Sequence, residues 1–396
     1  MADTQTVLLN VSGRDQTGIV ALLLNILANA DATVQDIEQI VMRQMISLSL
    51  VVDIPTGQDV FKEVLLYGWE HDLEVDFDIV DASPVPTMPG QIITILGREL
   101  TAANIHRVTA AIAEAGSNID RIERLSRYPV WSYELRVSGG DAEQLRTSML
   151  AASVDQPFDI AVQNDGLVRR SQRLVVLDVD STLIQNEVIN LVADVVGCGD
   201  EVADITNSAM RGELDFEASL RARVALFAGQ PVEVLDQAWE RLELTPGART
   251  FVRTLKSLGF TTAIVSGGFT FFTDRLCAEL DIDHAHANTL EVRRGILTGE
   301  LSGPVVDRQM KATLLKSIAE SEGMDASQVV AVGDGANDLD MLDAAGLGIA
   351  FNAKPVVAEA ADTALSVPYL DAILFVLGVR REEVESAGLS TTGGQT

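Results

Sequence analysis

The apolar run Leu174-Val175-Val176-Leu177 ends on Asp178-Val179-Asp180-Ser181-Thr182. It is short, β-branched and continuous, which predicts a strand buried on both faces of a parallel sheet. Two carboxylates one residue apart at the carboxyl end of such a strand repel each other unless a cation or a proton lies between them. Open α/β sheets bind ligands at the carboxyl ends of their strands, so chemistry is expected at the same place. A polar strand-to-turn exit would also use Asp and Ser. A second acidic cluster far along the chain, Gly333-Asp334-Gly335-Ala336-Asn337-Asp338, weighs against that plainer reading.

Further buried strands are predicted at Thr261–Val265, Val329–Val332 and Leu347–Ala350, with helical stretches between them. Strands alternating with helices predict a doubly wound parallel sheet over 169–385. About 80 residues separate the first two strands, where one crossover needs only about a dozen. The surplus, about 186–245, reads as an inserted helical cap. The first part of the chain repeats itself: Val7–Asp15 recurs as Ile92–Glu99, each followed by a helical pattern and strand-like stretches at Ile46–Val52 and Val130–Val137. This predicts two small α+β units with antiparallel sheets, 1–83 and 91–168, joined by a Pro-rich linker, 84–90. The Gly/Thr/Ser-rich tail, 386–396, is expected to be disordered.

A chain of 396 residues suits several domains. Its net charge of −29 argues against nucleic acid or an anionic membrane as partner. No apolar stretch approaches the roughly 20 residues of a membrane span. The start, Met1-Ala2-Asp3-Thr4-Gln5, lacks the basic region of a secretory signal. Cys198 and Cys277 are too few for a disulfide framework, so a reducing cytoplasm is expected. The same charge repels an anionic substrate, which would need a local cation and a few well-placed Lys or Arg residues.

Four motifs together resemble the haloacid-dehalogenase superfamily of aspartate-nucleophile phosphatases. Asp178–Thr182 resembles its first motif, Ser266-Gly267-Gly268 its second, Lys311 its lone basic residue, and Gly333–Asp338 its metal-holding motif. Taken singly these are ordinary: a Lys in a helical stretch is usually solvated, and Asn337 and Asp338 could simply cap a helix. Within the superfamily, Glu187, the segment from Met210 to Phe216 and Arg223 resemble the cap of phosphoserine phosphatases. The two N-terminal repeats resemble ACT domains, which often bind amino acids.

The resemblance implies a Rossmann-like core behind two ferredoxin-like units, and hydrolysis of phosphoserine with Mg2+. Asp178 would be the nucleophile, forming an aspartyl-phosphate, and Asp180 the proton donor and acceptor. Asp178, Asp334 and the backbone carbonyl of Asp180 would hold the metal, with Asp338 in support. Ser266, the Gly267 amide, Lys311 and Asn337 would bind the phosphate end. Glu187 would meet the substrate ammonium and Arg223 its carboxylate, under an apolar lid of Met210 and Phe216. In the first repeat Gly13, Asp15 and Gly18 would form an amino-acid site for L-serine as effector. In the second, Glu99 and Ala102 replace Asp15 and Gly18, which argues against a second site. ACT edge strands commonly pair between chains, implying a homodimer. Another small phosphomonoester or a phosphoprotein as substrate, or an amino-acid sensor with an inactive phosphatase domain, are the alternatives.

Overall fold

The computed structural model describes residues 4–56, 60–81 and 90–390, of which 389 and 390 without their side chains. It divides into two compact units, Met1–Thr87 and Met88–Thr396.

The first unit runs β1 (Thr4–Arg14), α1 (Ile19–Asn29), β2 (Thr33–Met42), β3 (Met45–Pro55), α2 (Val60–Glu70) and β4 (Leu73–Ile79). Its antiparallel sheet has the order β2-β3-β1-β4. In β3 every second residue from Ile46 to Ile54 is buried, the period expected of a sheet covered on one face. Ile19, Leu23 and Leu27 of α1 cover that face at helical spacing. Gly18 starts α1 in the left-handed region, φ 98°, where a side chain is strained.

The second unit opens with β5 (Gly90–Gly97), α3 (Ala102–Glu114), β6 (Ser117–Ser126), β7 (Trp131–Gly139), α4 (Ala142–Ser153), β8 (Phe158–Asn164) and the short α5 (Leu167–Arg170). The sheet order β6-β7-β5-β8 repeats the first unit's topology. The helix start differs. Thr101 caps α3 by accepting from the Asn104 N–H, and no left-handed residue is used. Ala102 is therefore an ordinary first helical residue and not a strained stand-in for Gly18. Residues 84–89 of the expected linker lie outside the described residues, and Gly90 already belongs to β5.

There follow β9 (Leu174–Leu177), α6 (Val188–Val196), α7 (Gly199–Met210), α8 (Phe216–Ala225), α9 (Val234–Trp239), α10 (Ala248–Ser257), β10 (Thr261–Phe269) and α11 (Thr270–Leu280). Then come β11 (His284–Arg293), β12 (Ile296–Ser302), α12 (Arg308–Ser321), β13 (Val329–Gly333), α13 (Leu339–Ala344) and β14 (Leu347–Phe351). The chain ends with α14 (Pro355–Ala360), β15 (Thr363–Leu365), α15 (Ile373–Val376) and α16 (Arg381–Ser390). Because α16 runs through Ser390, the expected disordered tail does not begin at 386; residues 391–396 lie outside the described residues.

These strands form one sheet, β12-β11-β10-β9-β13-β14-β15, parallel except where β12 pairs with β11. Val175, Leu177, Ile264, Val330 and Val332 pack into one apolar cluster; Leu174, Val176, Ala263, Val265, Val329 and Ala331 pack into another. Alternate residues of the same strands thus face opposite layers, which is why the runs are apolar throughout. The helices α6 to α9 form the cap. Its entry and exit are zipped together: the Gln185 N–H donates to Glu243 O (2.8 Å) and the Thr245 N–H to Leu183 O (3.0 Å). No helix among the described residues is long and apolar enough to cross a membrane.

The small β5–β8 sheet is covered on both faces. Leu96, Leu125, Val130 and Ala161 join the apolar cluster of the large sheet. At this junction the half-buried Asp159 carboxylate accepts from the Ser366 N–H and hydroxyl, both at 2.8 Å, and Gln163 Nε2 donates to Val376 O at 2.8 Å. Asp159→Ala would remove both bonds to Ser366, whose groups would turn to water. It should lower the stability of this unit by about 0.5–1.5 kcal/mol, read from the urea midpoint. An unchanged midpoint would mean that apolar contacts alone hold the junction.

Candidate active site

Strand register sets the site. Leu177 lies beside Ile264 on one side and Val332 on the other. β9 and β13 end at or just beyond that row and β10 parts from β9 there, so Asp178, Ser266 and Asp334 emerge together. The Asp178 N–H still donates to Val332 O at 2.9 Å, which fixes its Cα at the sheet edge. Beyond it the backbone turns sharply, with Ser181 at φ 57°. The Ser181 hydroxyl donates to Glu187 Oε1 at 3.1 Å, and the Val188 N–H donates to Asp180 Oδ1 at 2.7 Å.

The first turn of α12 carries Lys311, which is fully buried. Its Nζ donates to Asp178 Oδ1 and to Asp338 Oδ1, each at 2.6 Å. Asp338, also fully buried, accepts from the Gly335 N–H at 3.0 Å through its other oxygen. A Cβ on Gly333 would lie 2.5 Å from Asp338 Cγ, so glycine there lets the carboxylate pack against the strand end. Ser266, fully buried, donates to Asp180 Oδ2 (3.1 Å) and accepts from the Gly268 N–H (2.8 Å). Gly268 is similarly constrained: a Cβ would lie 2.6 Å from Val188 Cγ2.

Burial and crowding of like charge reshape the titration of these groups. Asp178 is pushed well above the usual carboxylate range by burial and by Asp338, with Lys311 opposing. Asp180 is pushed up to about 7 by burial and the Glu187 charge, against hydrogen bonds from Val188 and Ser266. Asp334 rises to about 6 through burial, Asp338 and Glu187. Burial alone would lower Lys311, but the two carboxylates outweigh it and hold the ammonium charged.

One carboxyl oxygen each of Asp178, Asp334 and Asp338 lie within 4.8 Å of one another, a grouping of the kind that holds a metal ion. Both Asp338 oxygens are already engaged. Asp178 has spent one oxygen on Lys311, and Asp334 has only a 3.4 Å contact from the Thr182 hydroxyl. Free carboxylate capacity therefore sits on Asp178 and Asp334. A single ammonium facing several acids leaves a negative excess that a divalent cation would offset.

The cavity above these groups has a volume of about 290 Å³ and is lined by Asp178, Asp180, Glu187, Phe216, Arg223, Gly267, Asp334 and Asn337, among others. Lys311 and Ser266 lie buried just behind the lining. Arg223, whose Nε donates to Ser219 O at 3.3 Å, is lowered from its usual pKa by burial while Glu187 and Asp180 pull it back up. Met210 is not brought in: it ends α7, is 73% exposed and does not line the cavity. Gly13, Asp15 and Gly18 are in the first unit, at the turn from β1 into α1, where the Asp15 N–H donates to Gln44 O at 2.8 Å.

Two further contributors are all but silent in the sequence. Asn288, almost fully buried, donates from Nδ2 to Gly267 O and accepts from the Val306 N–H, both at 2.8 Å. It ties the Gly267 turn to the segment that leads into α12 and Lys311. Lys354 lines the cavity from the loop after β14; a Lys-Pro pair behind a strand end is its one trace in the sequence.

Residues 175–343 match the model of the haloacid dehalogenase-like hydrolases, and residues 5–79 and 90–163 each match an ACT domain model. The chain is 51% identical to the phosphoserine phosphatase of Streptomyces coelicolor, covering 98% of this chain and 95% of that protein. It is 45% identical to a phosphoserine phosphatase of Mycobacterium tuberculosis, with 98% and 97% covered. Among solved structures, the probable phosphoserine phosphatase of Vibrio cholerae in unliganded form matches with a TM-score of 0.57 at 36% identity, over 77% of this chain and 89% of that one. A hydrolase of the same superfamily from Salmonella enterica matches with a TM-score of 0.63 at 30% identity, over 72% and 98%. A site of clustered carboxylates around a buried lysine at the carboxyl edge of the sheet, together with near-full-length relatives at these identities, leads to one assignment: the chain belongs to the phosphoserine phosphatases, haloacid dehalogenase-like hydrolases here preceded by two ACT domains.

Proposed function

We propose that this protein hydrolyses O-phospho-L-serine to L-serine and phosphate through an aspartyl-phosphate on Asp178. The observation that carries the reading is the pairing of Asp178, oriented by Lys311, with Asp180, a carboxyl raised to about 7, on one wall of the cavity. Asp178 attacks phosphorus; its new O–P bond forms as the ester O–P bond breaks. Asp180 gives its proton to the departing serine oxygen, since a serine alkoxide is a poor leaving group. As a carboxylate, Asp180 then takes a proton from the water that attacks the acyl-phosphate, releasing phosphate and restoring Asp178. Lys311 and the Gly267 amide are suited to the phosphate oxygens, with Ser266 and Asn337 beside them.

Asp178, Asp334 and the Asp180 backbone carbonyl would hold Mg2+, which supplies positive charge against the phosphate dianion. All-oxygen donors favour Mg2+ over softer ions. Glu187 and Arg223 on the cap side suit the ammonium and carboxylate of a free amino acid, with the apolar ring of Phe216 beside them in the lining. A cavity of about 290 Å³ matches such a substrate better than a folded phosphoprotein.

In this reading domains 1–83 and 91–168 regulate the phosphatase domain, 169–385. L-serine would bind at Gly13, Asp15 and Gly18. A homodimer would form through edge strand β2, all of whose residues are exposed, including Ile37, Ile40 and Met42. Two free cysteines suit a cytoplasmic protein.

Phosphate release from L-phosphoserine should require Mg2+ and respond to added L-serine; no release with the metal present would remove the proposal. Arg223→Ala should raise KM for L-phosphoserine at least tenfold more than KM for p-nitrophenyl phosphate, which has no carboxylate; a loss of about 1.4 kcal/mol gives that ratio. Equal effects would count against a carboxylate contact. The acids also predict a metal and pH linkage. A carboxyl raised in the folded state holds more protons there than when unfolded, so stability falls as pH rises from about 4 to about 7. Metal binding needs those protons gone. Mg2+ should therefore raise Tm more at about pH 8 than at about pH 5, judged against protein in EDTA. Equal shifts at both pH values would contradict metal binding by these groups.

A further inference from the structure

Around the cavity the balance of charge is adverse to a phosphate dianion. Asp178, Asp180, Glu187 and Asp334 all line it, on a chain of net charge −29. Its cations are not equally free to meet a ligand. Lys311 is fully buried and bound to two carboxylates. Arg223 is half-buried and interacts with Glu187 and Asp180. Lys354 differs from both. It lines the cavity yet is exposed to solvent, and among the described residues no carboxylate lies within ion-pair distance of it.

The backbone under Lys354 is fixed while its side chain is exposed and outside any ion pair among the described residues. Lys354 precedes Pro355, which restricts it to the extended conformation observed, φ −65° and ψ 150°. Its carbonyl accepts from the N–H groups of Val357 (2.9 Å) and Ala358 (3.0 Å), so the residue is welded to the start of α14. The strand before it, β14, pairs with β13, Ala350 beside Gly333, immediately before Asp334. Lys354 thus stands on the core wall of the cavity, on the same sheet edge as Asp178 and Asp334. Glu187, Phe216 and Arg223 belong to the cap and its entry. An ammonium on a four-carbon stem above a fixed Cα sweeps a short arc over the rim, a hydrated point charge well matched to a phosphate.

We propose that Lys354 is a positioning residue for the reaction: it draws the phosphate group of the substrate to the cavity rim against the protein's own field and passes it to the buried groups. This rests on the phosphatase reading above, but concerns the phosphate and not the amino-acid part of the substrate. Steering by a solvent-facing charge acts on encounter and is screened by salt.

The test compares wild type with Lys354→Met and Lys354→Arg in the Mg2+-loaded full chain, using L-phosphoserine and p-nitrophenyl phosphate from low to high salt. For Lys354→Met we expect kcat/KM to fall about tenfold at low salt for both substrates, and the deficit to shrink toward about 0.5 M salt. kcat should stay within about twofold, and Lys354→Arg should stay close to wild type, because the charge is kept. Three results would overturn the proposal: kcat/KM unchanged at low salt, a salt-independent loss carried by kcat, or a loss confined to L-phosphoserine, which would place Lys354 against the carboxylate. If wild type cleaves p-nitrophenyl phosphate but not L-phosphoserine, the substrate reading fails while the first of these substrates still decides the role of Lys354.

Discussion

The ammonium of Lys311, shared between Asp178 and Asp338 at 2.6 Å each, is the contact on which the site depends. All three groups are buried, and a buried carboxylate without a partner is costly to keep charged. Shared between them, one lysine keeps both acids in place at a strand end. The bond also links distant parts of the chain, since Asp178 follows β9, Lys311 opens α12 and Asp338 follows β13. Only when the parallel sheet is in its correct register do the three meet.

That arrangement leaves the site short of positive charge. Asp180 and Asp334, raised to about 7 and about 6, are the carboxyls to which Lys311 makes no hydrogen bond, though its charge still opposes their rise. The two shifts suit different tasks. A carboxyl near 7 is able both to give and to take a proton at neutral pH. A carboxyl near 6 with almost no protein partner is a ligand in waiting, and binding a divalent cation would bring its pKa down. Stability is thus sacrificed locally for chemistry, at the end of a strand, β9, that is otherwise wholly apolar.

Much of this was legible from residue types. The runs at Leu174, Thr261, Val329 and Leu347 read as parallel strands because both their faces are covered, and the second acidic cluster falls where register brings it beside the first. Lys311 is different: nothing about a lysine in a helix says that it is buried, and only the motif around it does. Asn288 left no trace because it acts through backbone groups remote in sequence. Met210 lies outside the lining, because order along the cap does not say which side of a helix end faces inward. The two N-terminal repeats predict the same α+β unit, yet β1 alternates buried and half-exposed residues while Ile92 to Leu96 are buried without a break. That unbroken run reflects a neighbour on each face of the second small sheet.

The central claim, that the carboxylate at position 178 carries the phosphoryl group during turnover, has a direct test. Protein mixed with excess L-phosphoserine and Mg2+ is quenched in acid within the first turnover, digested, and its peptides are weighed. The account predicts one phosphoryl group on the peptide bearing residue 178, removable by hydroxylamine as an acyl phosphate would be. A phosphoryl group on any other residue, or full phosphate release with residue 178 never modified, would contradict it.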